Sequence, residues 1–406
     1  MSYTKDYAEL QQQLISPEAS RENPVIDFAE CRFESFAHKI LPGADHYHCT
    51  THHTDLKNDF SFYTEVGKII HNVKMKDILV QENREFKYHL VKPKGGGKVK
   101  KIVFLFHGFN EKDWKKYLPW AKAICQGTGS SVVLFPIAFH MQRAPKHWSS
   151  KREMYELSTS RIKRFPNVVH STLSNVAISM RLHSMPQRFI WSGLQTYYDV
   201  IQLIEECKDG RHPHIQKDFE FDIFAYSIGG FLAQILKLAN HRHYFDRTKV
   251  CLFCSGATFN RLSPVSKFIL DSEANVALYS FLVEHLDKIL QKDHLLDHYL
   301  REGHLEGKVF YSMLDYQRFR EFREGLFKTY EHQFYAISLK QDHVIPSFEI
   351  IHTLQGAYRD IHIPVEELDF DRPYTHESPF APEKDPLRVD RDFDRVFKLV
   401  CDFLNG

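Results

Sequence analysis

The chain has 406 residues, 43% of them hydrophobic and 26% charged, with 53 Lys and Arg against 52 Asp and Glu. Those proportions belong to a globular protein long enough to bury an extensive core, and a formal net charge of +1 offers no electrostatic basis for binding nucleic acid or an anionic membrane. Seven cysteines without framework spacing, a polar start and no apolar run of spanning length lead to the expectation of a reducing, cytoplasmic setting with no membrane segment.

Residues 1–70 carry no clear sheet pattern, and Pro17, Pro24, Pro42 and Gly43 divide them into short helical or irregular pieces. Residues 1–75 are therefore expected to be an N-terminal extension. Within them the string DHYHCTTHHTD crowds His46, His48, Cys49, His52, His53 and Asp55 together. His48 and His52 would share one face of a helix, but no zinc-signature spacing is present, so a polar histidine-rich loop without a metal is expected. Residues 78–81 and 86–91 read as two strands joined by a polar turn, hence an antiparallel pair. Lys94-Gly-Gly-Gly-Lys98 is followed by Val99 and a strand, where a phosphate-cradling loop needs Ser or Thr and a helix. It reads as a basic connection.

The nearly continuous apolar run at 102–106 predicts a central parallel strand covered on both faces, and it leads into His107-Gly108-Phe109-Asn110. A helix over 114–125 and a strand over 131–136 follow. Residues 138–190 are too long for a simple crossover and mix aromatic with basic side chains, Arg143 and Trp148 among them, so an insertion over the carboxyl edge of the sheet is expected. A helix over 195–207 returns the chain to FEFDIFAYSIGGFLAQILKL at 219–238, where strand alternation changes into helical spacing around Ala225-Tyr226-Ser227-Ile228-Gly229. A serine in so sharp a turn needs small neighbours two residues away on each side, and it stands at a helix N-terminus whose N–H groups favour negative charge.

Residues 249–254 form another buried strand, whose alternation places Cys251 and Cys254 on opposite faces as core thiols. Residues 257–331 have helical spacing and no long strand signal, which implies a second insertion forming a cap with the first. The strand at 333–339 ends in Lys340-Gln341-Asp342-His343-Val344-Ile345-Pro346. A last strand over 361–368 is followed by a loop containing Tyr374, His376 and Pro379, and a helix over 391–404 closes the chain. Asp369 and Asp371 compete with Asp342 as the acid that orients His376. Its position at the start of a loop on the active edge of the sheet favours Asp342.

With Ser227, Asp342 and His376 in that order, and His107-Gly108 ahead of them, the chain resembles the α/β-hydrolase superfamily over about residues 76–406. The resemblance implies an α/β, three-layer fold with a mostly parallel sheet of about eight strands, interrupted by insertions at about 138–190 and 257–331. It further implies Ser227 as nucleophile, His376 as base and Asp342 as its partner, with the N–H groups of Phe109 and Ile228 as oxyanion donors. His107, Asn110, Tyr226, Arg143 and Trp148 are the candidate substrate contacts. The expected activity is a serine hydrolase of esterase type acting on a small acyl substrate without a cofactor. A peptidase or thioesterase shares that machinery, and a catalytically silent ligand- or partner-binding scaffold is the alternative from another class.

Overall fold

β-branched and aromatic runs of the sequence become strands β1 Ile26–Glu34, β2 His46–Cys49, β3 Thr54–Lys57, β4 Glu85–Pro93, β5 Val99–Phe106, β6 Ser131–Leu134, β7 Ile215–Tyr226, β8 Val250–Phe253, β9 Phe334–Leu339 and β10 Val365–Leu368. The computed structural model describes residues 2–15, 23–36, 46–57, 77–95, 97–301, 303–382 and 385–406. The punctuation at Pro17, Pro42 and Gly43, Gly96 of the basic connection and the boundary at residue 75 lie outside them.

Eight strands form one sheet in the order β1-β4-β6-β5-β7-β8-β9-β10. β1, β4 and β6 pair antiparallel, and every pairing from β6 to β10 is parallel. This is the mostly parallel eight-stranded sheet that the resemblance to the α/β-hydrolase superfamily implies. The longer helices are α1 Tyr3–Ile15, α2 Tyr117–Thr128, α3 Lys151–Arg164, α4 Val176–Ser184, α5 Arg188–Lys208, α6 Ile228–Ala239, α7 Ser272–Tyr279, α8 His294–Arg301, α9 Leu305–Leu314, α10 Arg320–Thr329, α11 Ser347–Leu354 and α12 Pro386–Asn405.

Alternation along the central strands feeds two cores. Val103 and Leu105 of β5 join Phe224, Phe253 and Leu339 beneath α1, α2 and α12, where Trp120 and Phe397 are buried. Ile102 and Phe104 face the other way, with Ile223 and Leu252, toward α5, α6 and α9. Each such side chain contributes about 1.5–3 kcal/mol when fully buried. α3 and α4 lie between β6 and β7, and α7 to α10 lie between β8 and β9.

Three sequence expectations need correction. The predicted strand at 78–81 is a single turn of 3-10 helix, Asp77–Leu79, followed by the helical turn Gln81–Arg84. The antiparallel partner of β4 is instead β1, with Phe28 opposite Val91 and Cys31 opposite Tyr88. β1 escaped notice because Glu30, Arg32 and Glu34 occupy its exposed side, the charged pattern by which an edge strand avoids further pairing. The histidine-rich stretch is a hairpin, β2 against β3, with Tyr47 opposite Leu56 and His48 opposite Asp55. Cys251 and Cys254 share one core, because Cys254 lies beyond β8 at φ 48° and the alternation ends before it.

Candidate active site

The sheet ends β7 at Tyr226, and α6 begins at Ile228, leaving Ser227 alone in the turn with φ 57° and ψ −124°. A non-glycine residue is held in this sparsely populated region only when its surroundings impose it. Two hydrogen bonds do so here: the Ser255 hydroxyl donates to the Ser227 carbonyl at 2.6 Å, and the Gly230 N–H donates to the same oxygen at 3.0 Å. A Cβ on Gly229 would lie 2.5 Å from the Phe106 carbonyl oxygen and 2.8 Å from that of His107, so α6 approaches the end of β5 only if that position lacks a side chain. Ala225 is fully buried in the strand and fits without a glycine.

The Ser227 hydroxyl lies 2.7 Å from His376 Nε2, and His376 Nδ1 lies 2.7 Å from Asp342 Oδ2. The other carboxylate oxygen of Asp342 accepts the main-chain N–H groups of Val344 and Ile345, each at 2.9 Å. These bonds aim its free oxygen at the imidazole. With the proton of His376 on Nδ1 toward Asp342, Nε2 keeps its lone pair for the serine hydroxyl. All three side chains are buried, with Ser227 6% exposed and His376 and Asp342 3% each. The competing carboxylates are engaged elsewhere. Asp369 accepts from Gln341 and the Tyr374 hydroxyl at 3.0 Å each, and Asp371 faces Arg388 at 3.8 Å.

The histidine loop is tethered from below. Tyr226 donates its hydroxyl to the His376 carbonyl, and Lys116 Nζ donates to the Glu377 carbonyl at 3.2 Å while pairing with Glu111. The loop after β5 is fixed by the same group of residues. The Gly108 N–H donates to the Tyr117 hydroxyl oxygen at 2.8 Å, and that hydroxyl donates to Glu111 at 2.8 Å. Among the described residues no hydrogen-bond acceptor engages the main-chain N–H of Phe109 or of Ile228. Both residues border the space in front of Ser227.

That space has two sides. A cleft of about 400 Å³ opens over Ser227 and His376 and is bordered by Asn110, Lys112, Lys116 and Thr375. Burial pushes the Lys112 ammonium down to about 8 against the opposing effect of Glu111. On the other side a narrow apolar slot runs between Phe109, Phe189, Phe231, Phe259, Leu278 and Ile345. Phe189 comes from α5, Leu278 from α7 and Phe259 from the turn before α7.

Of the candidate substrate contacts, Asn110 and Tyr226 border the cleft. Asn110 holds the loop in place by donating to the carbonyls of Ser174 and Phe268 at 3.0 and 2.6 Å. His107, Arg143 and Trp148 border neither space. His107 is fully buried, its Nε2 accepting the Ile137 N–H at 2.9 Å and its Nδ1 donating to the Gly108 carbonyl at 2.7 Å. Burial pushes its pKa down to about 3, so it is a neutral structural group. Arg143 is fully buried against Asp199 at 2.7 Å, and Trp148 belongs to the core. A basic or aromatic residue following a sheet strand looks the same in sequence whether it turns into the core or into a cleft. Sequence reading missed Tyr117, Glu111, Lys116 and Ser255; the carboxylate in the loop after His107 was the one local signal.

Among solved structures, the chain is similar to an esterase of Pyrobaculum calidifontis at 8% identity and TM-score 0.48, covering 100% of this chain and 92% of that one. It is also similar to carboxyl esterase 2 of Tuber melanosporum at 11% identity and TM-score 0.42, covering 79% and 81%. A third similar structure is an acylaminoacyl peptidase of Pyrococcus horikoshii, at 14% identity and TM-score 0.40 and covering 78% and 39%. No curated protein matches the sequence. A family model matches residues 1–405, and the chain belongs to that family, the family of unknown function DUF6051.

Proposed function

We propose that this protein is a serine hydrolase that cleaves a carboxylic ester or related acyl bond through an acyl-enzyme on Ser227. The observation that carries the reading is the continuous relay from Ser227 Oγ to His376 to Asp342, at 2.7 Å for each step. His376 Nε2 takes the hydroxyl proton as Ser227 attacks the carbonyl carbon, and Asp342 stabilises the imidazolium that results. The free N–H groups of Phe109 and Ile228 are the donors for the oxyanion, each worth about 3 kcal/mol of barrier. Collapse of the tetrahedral species passes the proton from His376 to the leaving group, and water reverses the sequence to release the acid. The chemistry draws on no cofactor.

The division of the site supports an assignment of ends. The apolar slot suits the acyl chain, and the polar cleft suits the leaving group and the incoming water. The insertions at about 138–190 and 257–331 act as a cap that excludes bulk water from the slot. Seven free, buried cysteines support a reducing, cytoplasmic setting. No helix among the described residues is long and apolar enough to cross a membrane.

A fluorophosphonate probe tests the reading. The wild-type chain should be labelled covalently and the Ser227→Ala variant should not, and hydrolysis of a short p-nitrophenyl ester should disappear with the same substitution. Absence of labelling across neutral and alkaline pH, in protein that is folded by circular dichroism, would refute it. A panel of esters, thioesters and aminoacyl amides then separates esterase from thioesterase and peptidase.

A further inference from the structure

Four side chains with metal-binding chemistry meet outside the triad. Cys49 ends β2 and His52 stands in the β2–β3 turn, whereas His298 lies on α8 and His304 directly precedes α9. Cys49 Sγ is 3.3 Å from His52 Nδ1 and 3.4 Å from His304 Nε2, and His304 Nε2 is 3.2 Å from His298 Nε2. One donor atom from each of the four lies within 4.8 Å of all the others. Tetrahedral zinc, with Zn–S about 2.3 Å and Zn–N about 2.0–2.1 Å, places its ligand atoms roughly 3.3–3.6 Å apart. Three of the measured separations fall at or beside that range.

The surroundings select the same atoms. His304 Nδ1 lies 3.1 Å from Glu306 Oε1, which also accepts the Tyr198 hydroxyl. A carboxylate on Nδ1 puts the proton there and leaves the Nε2 lone pair facing Cys49 and His298 together, the partner arrangement usual for a metal-bound histidine. A single lone pair cannot satisfy two neighbours at 3.2 and 3.4 Å by ordinary hydrogen bonding in both directions, whereas a shared cation between them does. Gly303 has φ 81°, and a Cβ there would lie 2.7 Å from His52 Nε2, so the glycine admits the fourth ring. Cys49, His298 and His304 are buried and His52 is exposed. One thiolate with three imidazoles suits zinc over calcium or magnesium, which take oxygen ligands.

We propose that Cys49, His52, His298 and His304 form a structural zinc site that fastens the β2–β3 hairpin to α8 and α9. A two-stranded hairpin outside the main sheet has little stability of its own, and four protein ligands close the coordination sphere. The anchor reaches toward the elbow, because α9 packs on α6 through Phe310 and Phe231, with ring centroids 5.6 Å apart. The spacing hides the site from a sequence reading: Cys-x2-His and His-x5-His lie far apart in the chain, and neither matches a zinc signature.

Metal analysis of the full chain, purified without chelator, should find about one zinc per molecule. Cys49→Ser and His298→Ala should lose it, while His53→Ala, a neighbour outside the cluster, should keep it. Cobalt exchanged into the wild type should give a thiolate-to-cobalt charge-transfer band that Cys49→Ser lacks, and chelation should lower the Tm of the wild type but not of His298→Ala. Wild-type protein that neither carries zinc nor takes up one equivalent after exposure to it would overturn the proposal, as would full zinc content in both ligand variants. If the variants do not fold, the wild-type stoichiometry and cobalt spectrum still decide. None of these readouts depends on hydrolase activity, so failure of the zinc site and failure of the Ser227 reading are distinguishable.

Discussion

The Tyr226 ring lies nearly parallel to the His376 imidazole, with centroids 5.4 Å and planes 19° apart, and its hydroxyl donates to the main-chain carbonyl of that histidine. The residue next to Ser227 on β7 therefore also holds the loop that carries His376. Tyr226→Phe keeps the stack and removes the tether. We expect kcat for an ester to fall about tenfold, equivalent to about 1.4 kcal/mol, with KM and Tm little changed. Steady-state kinetics and a thermal melt check this; an unchanged kcat would mean that the stack alone positions His376.

Tyr117 acts on the other half of the site. Its hydroxyl accepts the Gly108 N–H and donates to Glu111, so the loop that presents the Phe109 N–H rests on it. Tyr117→Phe leaves the buried Gly108 N–H without its partner and frees the loop to move. The expected loss is about 10- to 100-fold in kcat/KM, within the range of a weakened oxyanion donor. The pH profile should be unchanged, because His376 and Asp342 are not touched. Slower fluorophosphonate labelling with an unaltered profile separates this positioning role from general damage.

Arg143 and Asp199 form an ion pair in which neither side chain is exposed, and Asn83 bonds the same guanidinium. Removing one partner of a buried pair strands the other charge. Arg143→Ala should cost about 3–5 kcal/mol of stability, read as a shift in the urea midpoint, while kcat/KM per folded molecule stays the same. A rise in KM without loss of stability would restore Arg143 to the substrate contacts.

The elbow, the acid loop and the histidine loop could be read from the chain because each couples a strand end to residue types that its chemistry restricts. Ala225, Ser227 and Gly229 are constrained by the turn itself, and Asp342 and His376 by the sheet edge on which they stand. Long parallel strands such as β5 and β7 declared themselves through continuous apolar runs. β1 did not, because its identity as a strand depends on β4, a partner about 60 residues away that no local pattern reveals. The proposed zinc ligands failed for the same reason, with Cys49 and His52 on a hairpin, His298 on α8 and His304 just before α9. His107, Arg143 and Trp148 mark the complementary error. Their chemistry suits a site, yet only the packed structure shows that the first two spend their polar atoms on the protein itself.

The buried histidines predict how the fold responds to acid. Burial pushes His107 down to about 3 and His183 and His212 to about 4, and it lowers His89 and His140 as well. An ordinary histidine in the unfolded chain titrates near pH 6.5. Between that value and the depressed folded value the unfolded state binds a proton that the folded state refuses, so stability falls as pH falls. For His107 alone the loss from pH 6.5 to pH 5 is about 2 kcal/mol, from about 1.4 kcal/mol per pH unit. Urea midpoints should decline steeply from pH 6.5 to 5, and His212→Gln should reduce the slope by about one proton. Midpoints that stay constant down to pH 5 would show that these imidazoles take up protons in the folded protein.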